Sequence, residues 1–527
     1  MKLRTRTGLA LFSASAVIAL AVTGFAVTGA QAATSNTTTG RQTPTISLAD
    51  GKLQGVATGG ADEYLGIPYA KPPVGALRWH EPEAPAPWSG VLDASKPGPD
   101  CPQATGGDSD GSLSENCLYL NVYSPAATKA KKLPVIVFLH GGGHVGGTPN
   151  IYDGRSFASD GNSLVVIPAF RVGLFGFFGT PGTASESEHG AQGNWGMLDQ
   201  QQALRWVRDN IAQFGGDPGN VTIVGESAGG WSVCFQLASP SAQGLFHKAV
   251  IESSGCKGPD GAVDTATFAG SWGCNPSDMA CLRAVSAASI VNSSSGFLFA
   301  HPVAGGADQP LTPLAAAAAG KLAKVPVIIG TNRDEWLGFQ SGDYPLDPAV
   351  YEARVKAEFG DKADDVLQLY PAAEGPDPIF AAGWLRGDLM FSCPSVTTAD
   401  AFQAAGNRVF FYEFADRTTP GWRSLGDPFP PSTLELGATH TTELQYLFGY
   451  QAAERPLDKA QQKLADQMVG RWTAFAATGN PSTNAKSVWK PFADKRQVLE
   501  IVPLADGGPT MKSGFEDAHH CGFWNAQ

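Results

Sequence analysis

The chain has 527 residues, a formal net charge of −12 at pH 7 and a hydrophobic share of 43%. This hydrophobic share is typical of a folded globular protein and excludes a disordered one, and the negative charge argues against a nucleic-acid partner. The histidines and cysteines lack the close spacing of zinc ligands, so no structural metal site is predicted.

Residues 1–32 are predicted to be a secretory signal peptide. Lys2, Arg4 and Arg6 precede an apolar run, and Ala30-Gln31-Ala32 supplies the small residues of a cleavage site. The alternative is a retained membrane anchor, but the cleavage site and the polar residues after it favour removal. We therefore expect a secreted, extracellular protein without a stable membrane anchor.

The mature chain is expected to begin with a flexible segment, 33–44, followed by a single domain over 45–527. In this domain short apolar strands alternate with helices, which is typical of a mostly parallel sheet covered by helices on both faces. A helix is predicted over Gly196–Phe214, where apolar residues recur at helical spacing. Strands are predicted at Leu118–Tyr123, Leu133–Leu139, Leu164–Phe170, Lys248–Glu252, Val325–Ile329, Val409–Phe414 and Val498–Val502.

A β-branched run, Val221–Val224, leads directly into Gly225-Glu226-Ser227-Ala228-Gly229, and the residues that follow can form a helix. A strand, a sharp turn and a helix are the context of a nucleophile elbow, in which the turn lifts the serine hydroxyl to the top of the sheet. Gly225 and Gly229 are expected to be small because strand and helix approach closely there.

Other motifs accompany this elbow, and together they resemble those of the type-B carboxylesterases, the family of the cholinesterases and bile-salt-activated lipase. The resemblance covers about Leu65 to Trp524, with Asn116 where the family usually has Asp. It implies an α/β-hydrolase fold: a large, mostly parallel central sheet, helices on both faces and inserted helical and loop regions around an active-site gorge. The motifs are Leu65-Gly66-Ile67-Pro68-Tyr69-Ala70, Glu115-Asn116-Cys117-Leu118-Tyr119-Leu120-Asn121-Val122, Gly193–Gln200 and Phe214–Pro218.

In this fold the acid and the histidine of a catalytic triad follow the serine along the chain. By resemblance Ser227 is the nucleophile, Glu335 the acid and His440 the base. Asp334 is the alternative acid, and a solvated loop with an Asp-Glu pair is the alternative from composition alone. The resemblance implies ester hydrolysis through an acyl-enzyme, without a metal or organic cofactor.

The glycine-rich run His140-Gly141-Gly142-Gly143-His144 follows a predicted strand. Backbone N–H groups of such a loop can point at a developing oxyanion, since glycine lets the backbone approach a substrate. By resemblance Gly142, Gly143 and Ala228 form the oxyanion hole. A phosphate loop is the alternative, but the Lys-Ser/Thr that should follow it is missing.

Three more polar residues match family positions near the triad. Glu226 and Ser254 stand where the family places polar support for the triad, although ordinary hydrogen bonding in the core accounts for them equally well. Glu443 matches the acid commonly found three residues after the histidine, whereas Thr441 and Trp336 depart from the small residues usual at their positions.

The resemblance also implies a set of disulfides. Cys234 is left over on the elbow helix and is expected to be a small buried hydrophobic residue, with a bridge to Cys256 as the less favoured alternative. The implied pairs are Cys101 with Cys117, Cys274 with Cys281, and Cys393 with Cys521.

The expected substrate is a small-molecule carboxylic ester, and the chain is expected to be a monomer or a weak homo-oligomer. Alternatives are a lipase acting on triacylglycerols or sterol esters, a choline-ester hydrolase, and a non-catalytic adhesion protein. The loop between Cys101 and Cys117 lacks the tryptophan that binds choline in cholinesterases, although Trp231 or Trp336 could replace it. Phenylalanines that could line an apolar pocket, with core packing preferred, are Phe175, Phe177, Phe178, Phe297 and Phe299.

Overall fold

The computed structural model describes residues 41–106, 109–126, 132–257, 265–293, 301–421, 434–449, 453–485, 487–493 and 495–526. The predicted signal peptide over 1–32 lies outside the described residues, as do Phe297 and Phe299. Arg41–Gln42 forms a short strand, so the end of the segment expected to be flexible belongs to the sheet.

Strands in the described part of the chain form one large and one small sheet. The small sheet has the order β2-β3-β6. The strands are β1 (Arg41–Gln42), β2 (Ile46–Ser47), β3 (Lys52–Gln54), β4 (Val56–Thr58), β5 (Ala61–Pro68), β6 (Val91–Asp93), β7 (Tyr119–Pro125), β8 (Leu133–Leu139), β9 (Leu164–Pro168), β10 (Gly216–Glu226), β11 (Lys248–Glu252), β12 (Val327–Asn332), β13 (Val409–Phe414), β14 (Val498–Ile501) and β15 (Thr510–Lys512).

The large sheet has 12 strands among the described residues, in the order β1-β4-β5-β7-β9-β8-β10-β11-β12-β13-β14-β15. The strands from β9 to β14 in this order pair in parallel, and antiparallel pairs flank them at both edges. In a parallel sheet, successive strands end at the same edge. The loops after β8, β10, β11 and β12 therefore meet at one edge of the sheet.

Helices cover this sheet and fill the loops at its edge. The helices are α1 (Arg155–Ser159), α2 (Gly173–Gly176), α3 (Pro181–Glu186), α4 (Trp195–Asn210), α5 (Ala228–Ala238), α6 (Thr265–Ser271), α7 (Met279–Ala284), α8 (Ala287–Ser293), α9 (Pro313–Ala318), α10 (Pro348–Phe359), α11 (Ala363–Leu369), α12 (Pro378–Gly387), α13 (Cys393–Ala404), α14 (Leu444–Phe448), α15 (Lys459–Thr478), α16 (Phe515–Ala518) and α17 (Cys521–Trp524). None of the described helices combines the length and hydropathy needed to cross a bilayer.

The two faces of the sheet bury separate apolar clusters. Along β8, Val135 and Val137 belong to one cluster, and Ile136 and Phe138 belong to the other, as the alternation of side chains along a strand requires. The first cluster includes residues of α4 and α5, whereas the second includes Trp472 of α15. The sheet is therefore covered on both faces, which explains the continuous apolar run of its central strands.

Most predicted elements lie within a few residues of the observed ones, and the differences have local causes. The predicted helix Gly196–Phe214 divides into α4 and a 3₁₀ turn, Ile211–Phe214, which ends at Gly215 with a positive φ of 95°. Of the motif that begins at Leu65, the residues up to Pro68 belong to β5.

All eight cysteines of the chain are paired, and the pairing differs from expectation at one bridge. The expectation of an unpaired Cys234 is wrong, because it bonds to Cys256 with the two Cα atoms 5.5 Å apart. The Trp231 indole N–H donates to Gly255 O at 2.6 Å, which holds the loop after β11 against the elbow helix. The other three bridges are Cys101–Cys117, Cys274–Cys281 and Cys393–Cys521.

Candidate active site

Ser227 occupies a sharp turn between β10 and α5. Its φ of 56° and ψ of −122° lie outside the regions that most residues adopt, so the turn is strained. The Ser227 backbone N–H donates to Glu252 O at 3.0 Å, which anchors the turn to the neighbouring strand β11. This is the local structure that the elbow motif predicts.

The glycines around the serine are required by contact with the neighbouring backbone. A Cβ atom on Gly225 would clash with the carbonyl group of Gly229, and one on Gly229 would clash with the Leu139 carbonyl. The start of α5 therefore lies directly against the ends of β10 and β8, which confirms the close approach expected from sequence.

His440 and Glu335 form a buried hydrogen-bonded pair. The His440 Nδ1 atom lies 2.7 Å from Glu335 Oε2. The other oxygen of Glu335 accepts from the Asn332 backbone N–H at 2.7 Å and from the Thr331 hydroxyl at 2.8 Å. The His440 backbone N–H also donates to the Glu335 backbone carbonyl at 3.1 Å. Backbone and side chain of the two residues therefore fix the ring together.

Asp334, the alternative acid, has a different set of partners. Its carboxylate accepts from Arg417 Nη2 at 2.6 Å, from the Trp384 indole at 2.9 Å and from the Ala438 backbone N–H at 3.0 Å. These bonds join the loop after β12 to the loop that carries His440. The geometry therefore selects Glu335 as the carboxylate that orients the imidazole.

The other ring nitrogen of His440 faces the elbow. His440 Nε2 lies 3.1 Å from Oε1 of Glu226, the residue before Ser227. Among the described residues, Nε2 makes no hydrogen bond of good geometry, neither to Glu226 nor to the Ser227 hydroxyl. Hydrogen bonds between a base and a nucleophile are often long without a substrate and shorten when one is bound.

The glycine-rich loop lies against the elbow. A Cβ atom on Gly141 would lie 3.2 Å from Ser227 Cβ, and the φ angles of Gly142 and Gly143 are positive, 104° and 62°. Ala228 is the first residue of α5. Within the described residues, no protein acceptor pairs with the N–H groups of Gly142, Gly143 and Ala228, which leaves them available to a ligand oxygen.

A second layer of buried carboxylates surrounds the pair. Glu443 accepts from Asn332 Nδ2 and, at 3.3 Å, from the Ser253 hydroxyl. Glu252 accepts from the Trp472 indole at 2.7 Å. Ser254, the serine expected from the resemblance, instead lies against the elbow helix, where a Cβ on Gly230 would meet it.

Burial changes the ionisation of these carboxylates. Desolvation and the nearby charge of Glu335 raise the pKa of Glu443 to about 7. Desolvation and the charge of Glu443 also raise the pKa of Glu252 well above its usual value. Both shifts favour the protonated form of these carboxyl groups, which limits the negative charge near the pair of His440 and Glu335.

Aromatic rings flank the imidazole of His440. The centroids of Phe391 and Phe339 lie 4.9 Å and 5.1 Å from that of His440, and the Trp336 ring lies 4.8 Å from Phe339. Phe339 is 39% exposed, so the group offers an apolar surface beside the base. The sequence suggested Trp336 as an aromatic residue that could bind a substrate. It did not suggest Phe339 or Phe391, which lie on separate segments of the chain.

Three other aromatic residues suggested by the sequence pack in the core, and a further buried histidine, His519, pairs with carboxylates outside the site. Phe175 and Phe178 pack in an apolar cluster, and Phe177 is equally buried, as the preference for core packing expected. His519 is held between Asp388 and Glu413, and its Nε2 lies 2.9 Å from Glu413 Oε1. Neither carboxylate belongs to the site around Ser227.

Known proteins resemble this chain over most of its length. A profile of the Carboxylesterase family matches residues 42–524. Para-nitrobenzyl esterase of Bacillus subtilis (strain 168) is 35% identical over 484 residues, covering 87% of this chain and 94% of that protein. Acylcarnitine hydrolase of Mus musculus is 34% identical over 494 residues, covering 86% of each chain.

A solved structure extends the agreement to the fold. The structure titled PNB esterase superposes with a TM-score of 0.73 and 32% identity, covering 90% of this chain and 98% of that one. The parallel sheet, the elbow and this likeness identify an α/β-hydrolase fold. The chain therefore belongs to the carboxylesterase family, and its activity is the hydrolysis of carboxylic esters.

Proposed function

We propose that Ser227, His440 and Glu335 are the nucleophile, the general base and the orienting acid of this esterase. The observation that carries the proposal is the 2.7 Å contact of His440 Nδ1 with Glu335 in a ring whose other nitrogen faces the elbow. A serine hydroxyl attacks an ester only when a base removes its proton, and a buried carboxylate holds that base in the required tautomer.

The proposed reaction has two steps. The Ser227 oxygen bonds to the ester carbonyl carbon while His440 Nε2 takes the hydroxyl proton, and the same proton then passes to the departing alcohol. Water, deprotonated by His440, attacks the acyl carbon, the bond of that carbon to Ser227 Oγ breaks, and His440 returns the proton to Ser227 as the carboxylic acid leaves. In both steps the negative charge on the carbonyl oxygen faces the N–H groups of Gly142, Gly143 and Ala228, and each such donor contributes about 3–4 kcal/mol.

The aromatic group beside His440 supports a preference in the alcohol part of the ester. Since His440 protonates the departing alcohol, that group must lie next to the imidazole, where Phe339, Phe391 and Trp336 provide apolar faces. Benzylic and other bulky, uncharged alcohols fit such a surface. Lipase and choline-ester hydrolase activities remain the alternatives, to be measured on emulsified triacylglycerol and on a choline ester.

We also propose that the protein is exported and folds as a monomer or weak homo-oligomer. The four disulfides support an oxidising compartment, in agreement with the signal sequence predicted over 1–32. N-terminal sequencing of secreted protein is expected to begin at Ala33, and light scattering over a range of concentrations measures the assembly. Retention of residues 1–32 in the mature protein would contradict export with cleavage.

The assignment of Ser227 is tested by Ser227→Ala. Without the hydroxyl no acyl-enzyme forms, so hydrolysis of a para-nitrophenyl ester is expected to fall at least about 10⁴-fold, while circular dichroism shows a folded protein. A fluorophosphonate probe is expected to label the wild type and not the variant. Ser253→Ala serves as the matched control and is expected to be labelled; labelling of Ser227→Ala would assign the chemistry to another nucleophile.

A further inference from the structure

The glycine-rich loop carries a histidine that the proposed reaction does not use. His144 follows Gly143 directly and is 1% exposed. Its Nε2 lies 3.0 Å from the hydroxyl oxygen of Ser232 on α5. This contact joins the loop that presents the N–H groups of Gly142 and Gly143 to the helix that begins with Ala228.

Further hydrogen bonds hold Ser232 in place. Gln200 of α4 donates from Nε2 to Ser232 Oγ at 2.9 Å, and its own Oε1 accepts from Gln236 at 3.0 Å, which fixes the orientation of the amide. Ser232 Oγ therefore accepts from Gln200 and shares a second hydrogen bond with His144 Nε2, since a hydroxyl oxygen can take part in both. Burial lowers the pKa of His144 to about 3, so this contact joins a neutral ring to the serine hydroxyl.

Neighbouring groups hold the His144 ring and backbone in place. The ring stacks on Trp231 with centroids 6.2 Å apart, and it lies 5.0 Å from the Phe177 ring. The His144 carbonyl accepts from the Gly173 backbone N–H at 2.6 Å. Its φ of 59° is strained for a residue with a side chain, so the loop is held in this conformation by its surroundings.

We propose that the hydrogen bond between His144 and Ser232 is a positioning contact that sets the distance between the two halves of the oxyanion hole. One half follows β8 and the other follows β10, and displacements of a fraction of an ångström between donors reduce their effect on a transition state. This inference rests on the proposed function, because it requires that Ser227 reacts and that both halves face the carbonyl oxygen.

The test uses His144→Phe, which keeps a ring of similar size, together with Ser232→Ala and the double variant. For a soluble para-nitrophenyl ester, kcat is expected to fall about 10- to 100-fold, with KM within about threefold, because the oxyanion develops only in the transition state. The loss of kcat in the double variant should be no larger than the loss in the less active of the two single variants, since both substitutions remove the same bond.

A trifluoromethyl ketone measures the oxyanion hole directly. Ser227 adds to its carbonyl carbon, the carbonyl electron pair moves onto oxygen as an oxyanion, and the serine proton passes to His440. The inhibition constant of this ketone is expected to rise in each variant by the same factor as kcat/KM falls. A loss of stability alone would not produce this proportionality.

Ser239→Ala is the matched control. Ser239 follows the other end of α5, is also 1% exposed, and both accepts from Gln201 at 3.1 Å and donates to Asp308 O at 2.7 Å. This variant is expected to lower the thermal midpoint as Ser232→Ala does, while kcat and ketone affinity stay within about twofold.

Two outcomes would overturn the inference: full ketone affinity in His144→Phe and Ser232→Ala, or an equal loss in Ser239→Ala. Either would leave fluorophosphonate labelling of Ser227 intact, so the proposed nucleophile would stand. Turnover that survives Ser227→Ala would instead remove the proposed function and this inference together.

Discussion

At the scale of single residues, adjacent carboxylates have unlike surroundings. Glu335 accepts from His440, whereas Asp334 accepts from Arg417 and Trp384. The motif register favoured the same residue, but only the hydrogen bonds exclude its neighbour. Substitutions of Glu335 and of Asp334 are therefore expected to affect activity differently, although the two residues are adjacent in the chain.

Glu335→Gln is expected to reduce kcat about 10³- to 10⁴-fold, because an amide cannot hold the imidazole in the reactive tautomer or stabilise its charged form. Asp334→Asn is the matched variant and is expected to retain activity within about tenfold, since its acceptor oxygen remains. Steady-state kinetics on one ester measures both. A larger loss in Asp334→Asn than in Glu335→Gln would reverse the assignment.

The raised pKa of Glu443 predicts a pH dependence of stability. The folded protein keeps this proton up to about pH 7, whereas the unfolded chain loses it near the ordinary glutamate pKa of 4.5, so the proton stabilises the fold below pH 4.5 and this contribution is lost as pH rises to 7. Glu443→Gln should therefore show a flatter pH dependence of unfolding free energy, measured by urea denaturation; an unchanged slope would contradict this.

The sequence predicted the three residues of the proposed triad, but not the residues that surround them. Ser227, Glu335 and His440 lie in motifs whose order along the chain is characteristic of the fold, so they could be predicted. The resemblance pointed to Ser254, whereas Ser253 contacts Glu443, because a shift of one residue past a strand end points the side chain to the other side. Phe391 could not be predicted beside His440, since nothing local in sequence relates these segments.

At the scale of elements, the elbow helix α5 contacts neighbouring elements on several sides. Its first turn lies against β8 and β10, Ser232 contacts the glycine-rich loop, and Cys234 bonds to the loop after β11. The strands and helices themselves followed from apolar periodicity. The disulfide between Cys234 and Cys256 did not follow from it, because the orientation of Cys234 around the helix depends on packing that periodicity does not determine.

Replacing Cys234 and Cys256 with alanine is expected to lower the free energy of unfolding. The bridge spans 22 residues, and loop closure of this length corresponds to about 3 kcal/mol. The matched control replaces Cys274 and Cys281, which are 7 residues apart, for which the same relation gives about 2 kcal/mol. Denaturant unfolding measures both; thiols that react with Ellman's reagent in the native wild type would contradict the pairing.

At the scale of the whole molecule, the C-terminal segment is joined to the body by one long-range bridge. Cys393 of α13 and Cys521 of α17 are 128 residues apart in sequence. Beside them, His519 is held by Asp388 and Glu413, and Trp524 donates to the Tyr370 hydroxyl at 2.8 Å. The C-terminal helices therefore depend on both a covalent bond and buried polar contacts.

Replacing Cys393 and Cys521 with alanine should destabilise the protein more than the loss of any shorter bridge, by about 5 kcal/mol, because this bridge closes the longest loop. Limited proteolysis of the variant is expected to remove the C-terminal segment first, since its anchor is lost. Mass spectrometry identifies the cleaved peptide. Equal protease resistance in variant and wild type would show that the polar contacts suffice.

The complete pairing of the cysteines makes the native protein a background without reactive sulfhydryls. A single introduced thiol would then be the only point of attachment for a fluorescent dye. Met390 suits this purpose, since it is 48% exposed and adjoins Phe391, whose ring lies 4.9 Å from that of His440. A dye at position 390 would report, in real time, the arrival and departure of molecules beside the imidazole.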